Sequence, residues 1–78
     1  MTNLQLAIVD MLTEYGFVHQ IDESGPHYYR DNEFGCMSVY LENDHIDCYY
    51  TSSAGVGSEW HLNYTIQDMS NLANLTQE

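Results

Sequence analysis

Residues 37–50 read MSVYLENDHIDCYY, two runs of alternating apolar and polar residues that meet at Asn43-Asp44. If Asn43-Asp44 forms a two-residue turn, the apolar members of both runs share one face. They are Met37, Val39, Leu41, Ile46, Cys48 and Tyr50. The polar members then pair on the other face: Ser38 with Tyr49, Tyr40 with Asp47, and Glu42 with His45. Because turn length and apolar face agree, the stretch predicts a β-hairpin with one buried side.

Further strands are predicted on both sides of this hairpin. Residues 17–21 and 27–31 are short strand-like runs, and the turn-rich segment 22–26 separates them. After a loop of small residues at 52–58, a last strand is predicted over about residues 59–65. Its alternation turns Trp60, Leu62 and Tyr64 inward and Glu59, His61 and Asn63 outward. Phe17, Tyr50, Trp60 and Tyr64 are expected to fill the core.

A helix is predicted at each end of the chain. Over about residues 3–15 an apolar stripe recurs at helical spacing: Leu4, Ala7, Ile8, Met11, Leu12 and Tyr15. Thr2 stands at capping-box spacing from Gln5, and Gly16 marks the other end. Thr65 is placed to cap a short C-terminal helix with an apolar side of Ile66, Met69, Leu72 and Ala73. The expected fold is α+β, one domain over residues 1–78: an N-terminal helix packed on a four- to five-stranded antiparallel sheet, with a short C-terminal helix.

The two cysteines, Cys36 and Cys48, fall on opposite faces of the predicted hairpin, so we expect free thiols. The first residues carry no basic segment, and Asp10 and Glu14 interrupt the apolar stretch that follows. This pattern is typical of neither a signal peptide nor a membrane span. The expected compartment is the cytoplasm, either of a bacterium or of a host cell.

The charge of the chain is strongly one-sided. Twelve acidic residues face a single basic one, Arg30, which gives a formal net charge of -11. Such a field repels nucleic acid and anionic membranes and attracts basic surfaces. A hydrophobic content of 44% and an aromatic content of 13% favour a folded chain over an acidic disordered one. We therefore expect a basic protein as partner, with no direct nucleic-acid or membrane binding.

The residues best suited to metal binding or acid–base chemistry lie around the hairpin turn. They are Glu42, His45 and Asp47, and alternation places His61 on the same sheet face. Zinc sites usually show paired spacings such as CxxC or HExxH, and neither occurs here. No cysteine has a basic neighbour that would lower its pKa. An ordinary polar strand face is favoured, so we expect no enzyme activity, no cofactor and no metal; a metal-binding or catalytic domain is kept as the weakest alternative.

The acidic residues of the central hairpin and the strand before it are the predicted contact surface. Neighbouring residues on one strand face stand about 6.6 Å apart, similar to successive phosphates of a nucleic-acid strand. Asp31 with Glu33, and Glu42 with Asp44, have the i, i+2 separation in sequence, and Asp47 extends the same hairpin. Tyr40 and Tyr49 are outward among these acids, either as contact anchors or simply as solvated tyrosines.

Small size, extreme acidity, an α+β pattern and the missing lysine together resemble the small phage-encoded inhibitors that mimic nucleic acid, namely anti-restriction, anti-CRISPR and uracil-glycosylase-inhibitor proteins. The likeness is one of character over the whole chain, with no shared motif, so it assigns no residue roles. It implies a non-enzymatic inhibitor on the basic nucleic-acid-binding surface of a defence or DNA-processing protein. The alternative is an acidic adaptor or immunity-type partner of a basic protein without mimicry. Pairing of free strand edges in a homodimer stays open.

Overall fold

The protein folds as two helices and a five-stranded sheet, in a computed structural model that describes residues 1–77. The elements follow one another as α1 (Asn3–Glu14), β1 (Val18–Asp22), β2 (Gly25–Asn32), β3 (Gly35–Leu41), β4 (His45–Ser52), β5 (Gly57–Asn63) and α2 (Ile66–Leu75). The strands are antiparallel and lie in chain order, each beside the next. The expected α+β class and element order are confirmed, with five strands rather than four. None of the described helices is long and apolar enough to cross a membrane.

The register of the central hairpin is confirmed pair by pair. Leu41 lies opposite Ile46, Val39 opposite Cys48, and Met37 opposite Tyr50 on the covered face. The polar pairs of β3 and β4 are also as predicted, Tyr40 with Asp47 and Ser38 with Tyr49. Glu42 and His45 close the hairpin, because the Glu42 N–H donates to the His45 carbonyl at 3.0 Å.

Two predicted strand boundaries were wrong. β2 begins at Gly25, where a loop was expected, and β5 covers Gly57–Asn63, which excludes Tyr64 and Thr65. Backbone pairing needs no particular side chain, so small residues extend both ladders: Gly25 pairs with Asp22, and Gly57 pairs with Thr51. Gly25 has a φ of +94°, a left-handed conformation that glycine adopts without steric cost in so tight a turn.

The core lies between the sheet and the two helices. Its buried apolar residues are Ile8, Leu12, Phe17, Met37, Val39, Ile46, Cys48, Leu62 and Leu72. Trp60, Tyr50 and Tyr64, predicted as core, are only half-buried and pack around its margin. Tyr64 remains at the margin, where its hydroxyl donates a hydrogen bond to the Glu42 carbonyl at 2.8 Å. Ile66 was wrongly assigned to the apolar side of α2: it is 89% exposed at the first helical position, before the turn that faces the sheet.

The helix caps are as predicted. Thr2 and Gln5 form a complete capping box at the start of α1. Thr65 accepts a hydrogen bond from the Asp68 N–H at 3.1 Å, and Asp68 supplies the acid favoured by the helix dipole in the first turn of α2.

Arg30 joins the ends of both helices to the sheet. It projects from β2 on the covered side, where its Nη1 donates to the Tyr15 carbonyl at 3.0 Å and to the Thr76 carbonyl at 2.9 Å. Tyr15 and Thr76 are the C-caps of α1 and α2, so one cation meets two negative dipole ends. Its guanidinium carbon also lies 4.9 Å from the centre of the Phe17 ring. The only lysine or arginine of the chain is therefore committed to the fold.

We expect Arg30→Met to lower the free energy of unfolding by about 2–3 kcal/mol, because two charged hydrogen bonds are lost and helix-end carbonyls lose their donor. Gln20→Glu, on an exposed position of the edge strand, makes the same change in net charge and is the control. Urea unfolding followed by circular dichroism measures both. Equal midpoints for the two variants would contradict the role given to Arg30.

Cys36 and Cys48 are free thiols, Cys36 half-buried on the side away from the helices and Cys48 in the core. Burial raises the pKa of the Cys48 thiol to about 12. We expect Ellman's reagent to leave Cys48 unmodified in the native protein and to modify both cysteines after unfolding without reductant. An intramolecular disulfide in freshly purified protein would contradict the hairpin register.

Candidate functional site

The side of the sheet opposite the helices, here called the open face, carries the candidate site. Strand alternation places on it residues of four neighbouring strands, with polar and aromatic side chains. Among them are His27, Tyr29, Asp31, Ser38, Tyr40, His45, Asp47, Tyr49, Glu59 and His61. Because both helices pack on the other side, this face is available for contact.

Aromatic rings form the middle of the open face. Tyr40 and Tyr49 meet edge to face with ring centres 5.6 Å apart, and His27 stacks on Tyr40 at 4.8 Å. His27 is only 3% exposed, and its Nδ1 lies 2.9 Å from the Gly25 carbonyl oxygen. Tyr49 stays 40% exposed. The buried His27 ring thus supports Tyr40, Tyr40 supports Tyr49, and Tyr49 presents the accessible ring.

A hollow of about 400 Å³ adjoins these rings, lined by Ser24, Tyr40, Glu42, Asp47 and Tyr49. Four of the seven predicted contact residues therefore come together. Partial burial, followed by the nearby carboxylates of Asp47 and Glu59, raises the pKa of the Tyr49 hydroxyl. Tyr49 is accordingly a neutral hydrogen-bonding group beside acids that attract cations.

The other three predicted contact residues do not line the hollow. Asp44 is in the β3–β4 turn, close to the hollow, whereas Asp31 near the end of β2 and Glu33 in the β2–β3 turn are at the opposite end of β3. Seven residues of strand separate the two ends, a distance of about 20 Å. The strand-face spacing proposed for both acidic pairs was wrong, because Glu33, Glu42 and Asp44 stand in turns, outside the strands.

A network of histidines and carboxylates extends across the open face to its edge at β5. The Asp47 Oδ1 atom lies 3.2 Å from His45 Nε2 and 2.5 Å from His61 Nδ1. The remaining ring nitrogens also face carboxylates: His45 Nδ1 is 2.6 Å from Asp44 Oδ1, and His61 Nε2 is 2.8 Å from Glu59 Oε1. Asp47 is the best-shielded acid of this group, with a side chain only 16% exposed.

These contacts shift the pKa values of the participating groups. Hydrogen bonding to Asp44 raises the pKa of His45, and hydrogen bonding to Asp47 and Glu59 raises that of His61. The bond to His45 in turn lowers the pKa of the Asp44 carboxyl. The network therefore favours imidazolium over neutral imidazole.

His61 and Glu59 were not among the predicted contact residues. Alternation placed both outward on the last strand, which is confirmed, but not opposite a particular residue of β4. The register puts His61 across from Asp47 and Glu59 across from Tyr49. The loop between β4 and β5 is longer than a two-residue turn, so its length alone does not fix the pairing.

Comparison of the chain with protein-family models, with curated proteins and with solved structures gave no match. What the open face can do chemically is set by its own groups. Its carboxylates attract and bind cations, its tyrosines offer ring faces and hydroxyls, and its imidazoles exchange protons or bind metal ions.

We expect nuclear magnetic resonance titration to place the pKa values of His45 and His61 above the unperturbed value of about 6.5. Since the folded-state pKa is raised, the stabilisation is complete below the unfolded-state value and is lost as the pH rises through the folded-state value. Asp47→Asn should lower both pKa values, whereas Asp10→Asn on α1 should change neither. Identical histidine titrations in all three proteins would rule out the network.

Proposed function

We propose that the chain is a non-enzymatic inhibitor that binds the basic nucleic-acid-binding surface of another protein through its open face. The observation that carries this proposal is the commitment of Arg30 to the helix ends, 3.0 and 2.9 Å from two carbonyl oxygens. No lysine or second arginine exists to offset twelve acidic residues. A surface so charged is complementary to the channels that proteins use for nucleic-acid phosphates.

Acids of the open face are arranged for contact with arginine and lysine. Glu42 and Asp47 line the hollow beside the tyrosine pair, and Glu59 lies opposite Tyr49 on β5. Asp44 is exposed in the adjoining turn. An arginine of the partner could reach a carboxylate and at the same time stack on the Tyr49 ring. Tyrosine also gives up little conformational entropy on binding, which suits it as an anchor within a polar surface.

The finer proposal is nucleic-acid mimicry, in which the carboxylates occupy the positions of phosphates. The partner class would then be a defence or DNA-processing protein, as for the phage anti-restriction and anti-CRISPR inhibitors, and the site of action would be the cytoplasm where such proteins work. The acids of the open face and its turns support mimicry through their charge and their position beside the hollow, without regular strand spacing.

Capture from a bacterial lysate on immobilised protein at low salt, followed by elution with rising salt, supplies a basic partner for measurement. We then expect the affinity to fall steeply with salt, because screening weakens exposed charge pairs. Duplex DNA, or the guide RNA where the partner uses one, should displace the chain if it mimics nucleic acid. Strong binding that salt does not weaken would refute the charge-based proposal.

Charge-reversal pairs locate the contact. Glu42→Lys with Asp44→Lys alters the acids next to the hollow, and we expect it to weaken binding at least tenfold, mainly through slower association. Asp10→Lys with Glu14→Lys on the exposed side of α1 makes the same change in net charge. This control should keep most of the affinity, as measured by surface plasmon resonance. Loss of binding in the α1 pair alone would move the contact to the helices.

The adaptor alternative has one observation in its favour. β1 is an edge strand with two exposed apolar side chains, Ile21 at 74% and Val18 at 55%. A partner could add to this edge through backbone hydrogen bonds and apolar contact, without imitating DNA. Binding would then resist salt and nucleic-acid competition, and Ile21→Lys would remove it while the hairpin variant retained it.

A further inference from the structure

The ring nitrogens of His45 and His61 each face a carboxylate oxygen. Asp47 Oδ1 lies between the two rings, while Asp44 and Glu59 take the outer nitrogens at 2.6 and 2.8 Å. A neutral imidazole carries one N–H, so it can donate to only one of its two carboxylates. At the other nitrogen a lone pair then faces an oxygen, and this contact is favourable only with a second proton or a metal ion in between.

We propose that His45 Nε2, Asp47 Oδ1 and His61 Nδ1 bind one divalent transition-metal ion of the zinc class. Across the described residues, these atoms all lie within 4.8 Å of one another. Ligands around tetrahedral zinc, with bonds of about 2.0–2.1 Å, stand about 3.3 Å apart. The distance of 3.2 Å between His45 Nε2 and Asp47 Oδ1 already fits, and His61 has to retreat from 2.5 Å. The His61 side chain is 58% exposed and therefore has room to rotate.

The outer carboxylates are a second feature of a metal site. Histidines that bind metals usually donate their other N–H to a carboxylate, which fixes the tautomer and the direction of the lone pair. Asp44 and Glu59 are placed to accept this N–H from His45 and His61, in the tautomer that protonates the outer nitrogen of each ring. Both rings then carry their N–H outward and aim a free lone pair toward Asp47.

Charge also favours a cation at this place. Asp44, Asp47 and Glu59 contribute three negative charges around the three candidate ligand atoms. A single divalent ion would offset two of them. Two imidazoles and one carboxylate suit zinc better than calcium or magnesium, which prefer oxygen ligands, and water can complete the coordination.

The position of the three ligands predicts that metal binding stabilises the fold. His45 and Asp47 lie on β4, whereas His61 lies on the edge strand β5, so the ion links two neighbouring strands. Because the site requires the folded register, metal binding should raise the melting temperature. This proposal does not depend on the partner proposed above, since it is tested with metal and the purified chain alone.

The test titrates zinc chloride into the full chain by isothermal calorimetry at about pH 7.5, above the unperturbed histidine pKa, because metal ions bind the neutral imidazole. We expect one ion per chain and a higher melting temperature. His45→Gln and His61→Gln should each remove saturable binding, and Glu59→Gln should weaken it about tenfold. His19→Gln, at the other edge of the sheet, should bind like the wild type. Amide spectra of each variant verify the fold.

Cobalt substitution reports the ligands independently. Cobalt bound at the site should give visible absorption bands that are absent from the His45→Gln/His61→Gln double variant. The proposal is overturned if wild-type protein shows no saturable zinc binding. It is equally overturned if the double variant binds as tightly as the wild type, because the ion would then sit on other carboxylates or on the thiols.

Discussion

One guanidinium holds the architecture together. Arg30 reaches from the second strand to the carbonyl ends of both helices and lies against the Phe17 ring, so both helices end on the same side of the sheet. The cation contacts the carbonyl ends of two helices and an aromatic ring. Arginine suits this environment because its charge is delocalised and it has several N–H donors. Because Arg30 is the one lysine or arginine of the chain, its engagement with the helix ends leaves the carboxylates of the open face without a basic side chain to balance them.

The commitment of Arg30 to the covered side determines how charge is balanced on the open face. With Arg30 engaged, histidines are the groups left to balance its carboxylates, and the contacts of Asp47 with His45 and His61 are the result. A surface of this kind has three ways to compensate its charge: protons, a metal ion, or the basic side chains of a partner. The proposed zinc-class ion and the proposed basic partner both satisfy the same electrostatic demand, and Tyr49 adds the apolar contact that a purely acidic surface lacks.

The hairpin could be derived from sequence because turn length and alternation constrain each other: Val39 opposite Cys48 follows from both. The remaining errors concern features that the local sequence pattern does not determine. Strand limits at Gly25 and Gly57 depend on backbone pairing, which side chains do not encode, and the exposure of Ile66 depends on how α2 sits on the sheet. The His61–Asp47 contact joins residues across a longer loop, so composition indicated its groups while only the register brought them together.

We propose that cationic groups meet this chain on the open face rather than on the helices. A titration of isotope-labelled protein with a nona-arginine peptide at low salt, followed by amide and histidine chemical shifts, tests it directly. We expect the largest changes on Asp47, Tyr49 and Glu59 and their strand neighbours, and we expect them to vanish as salt is raised. Changes of equal size along α1, or spread evenly over the chain, would contradict it.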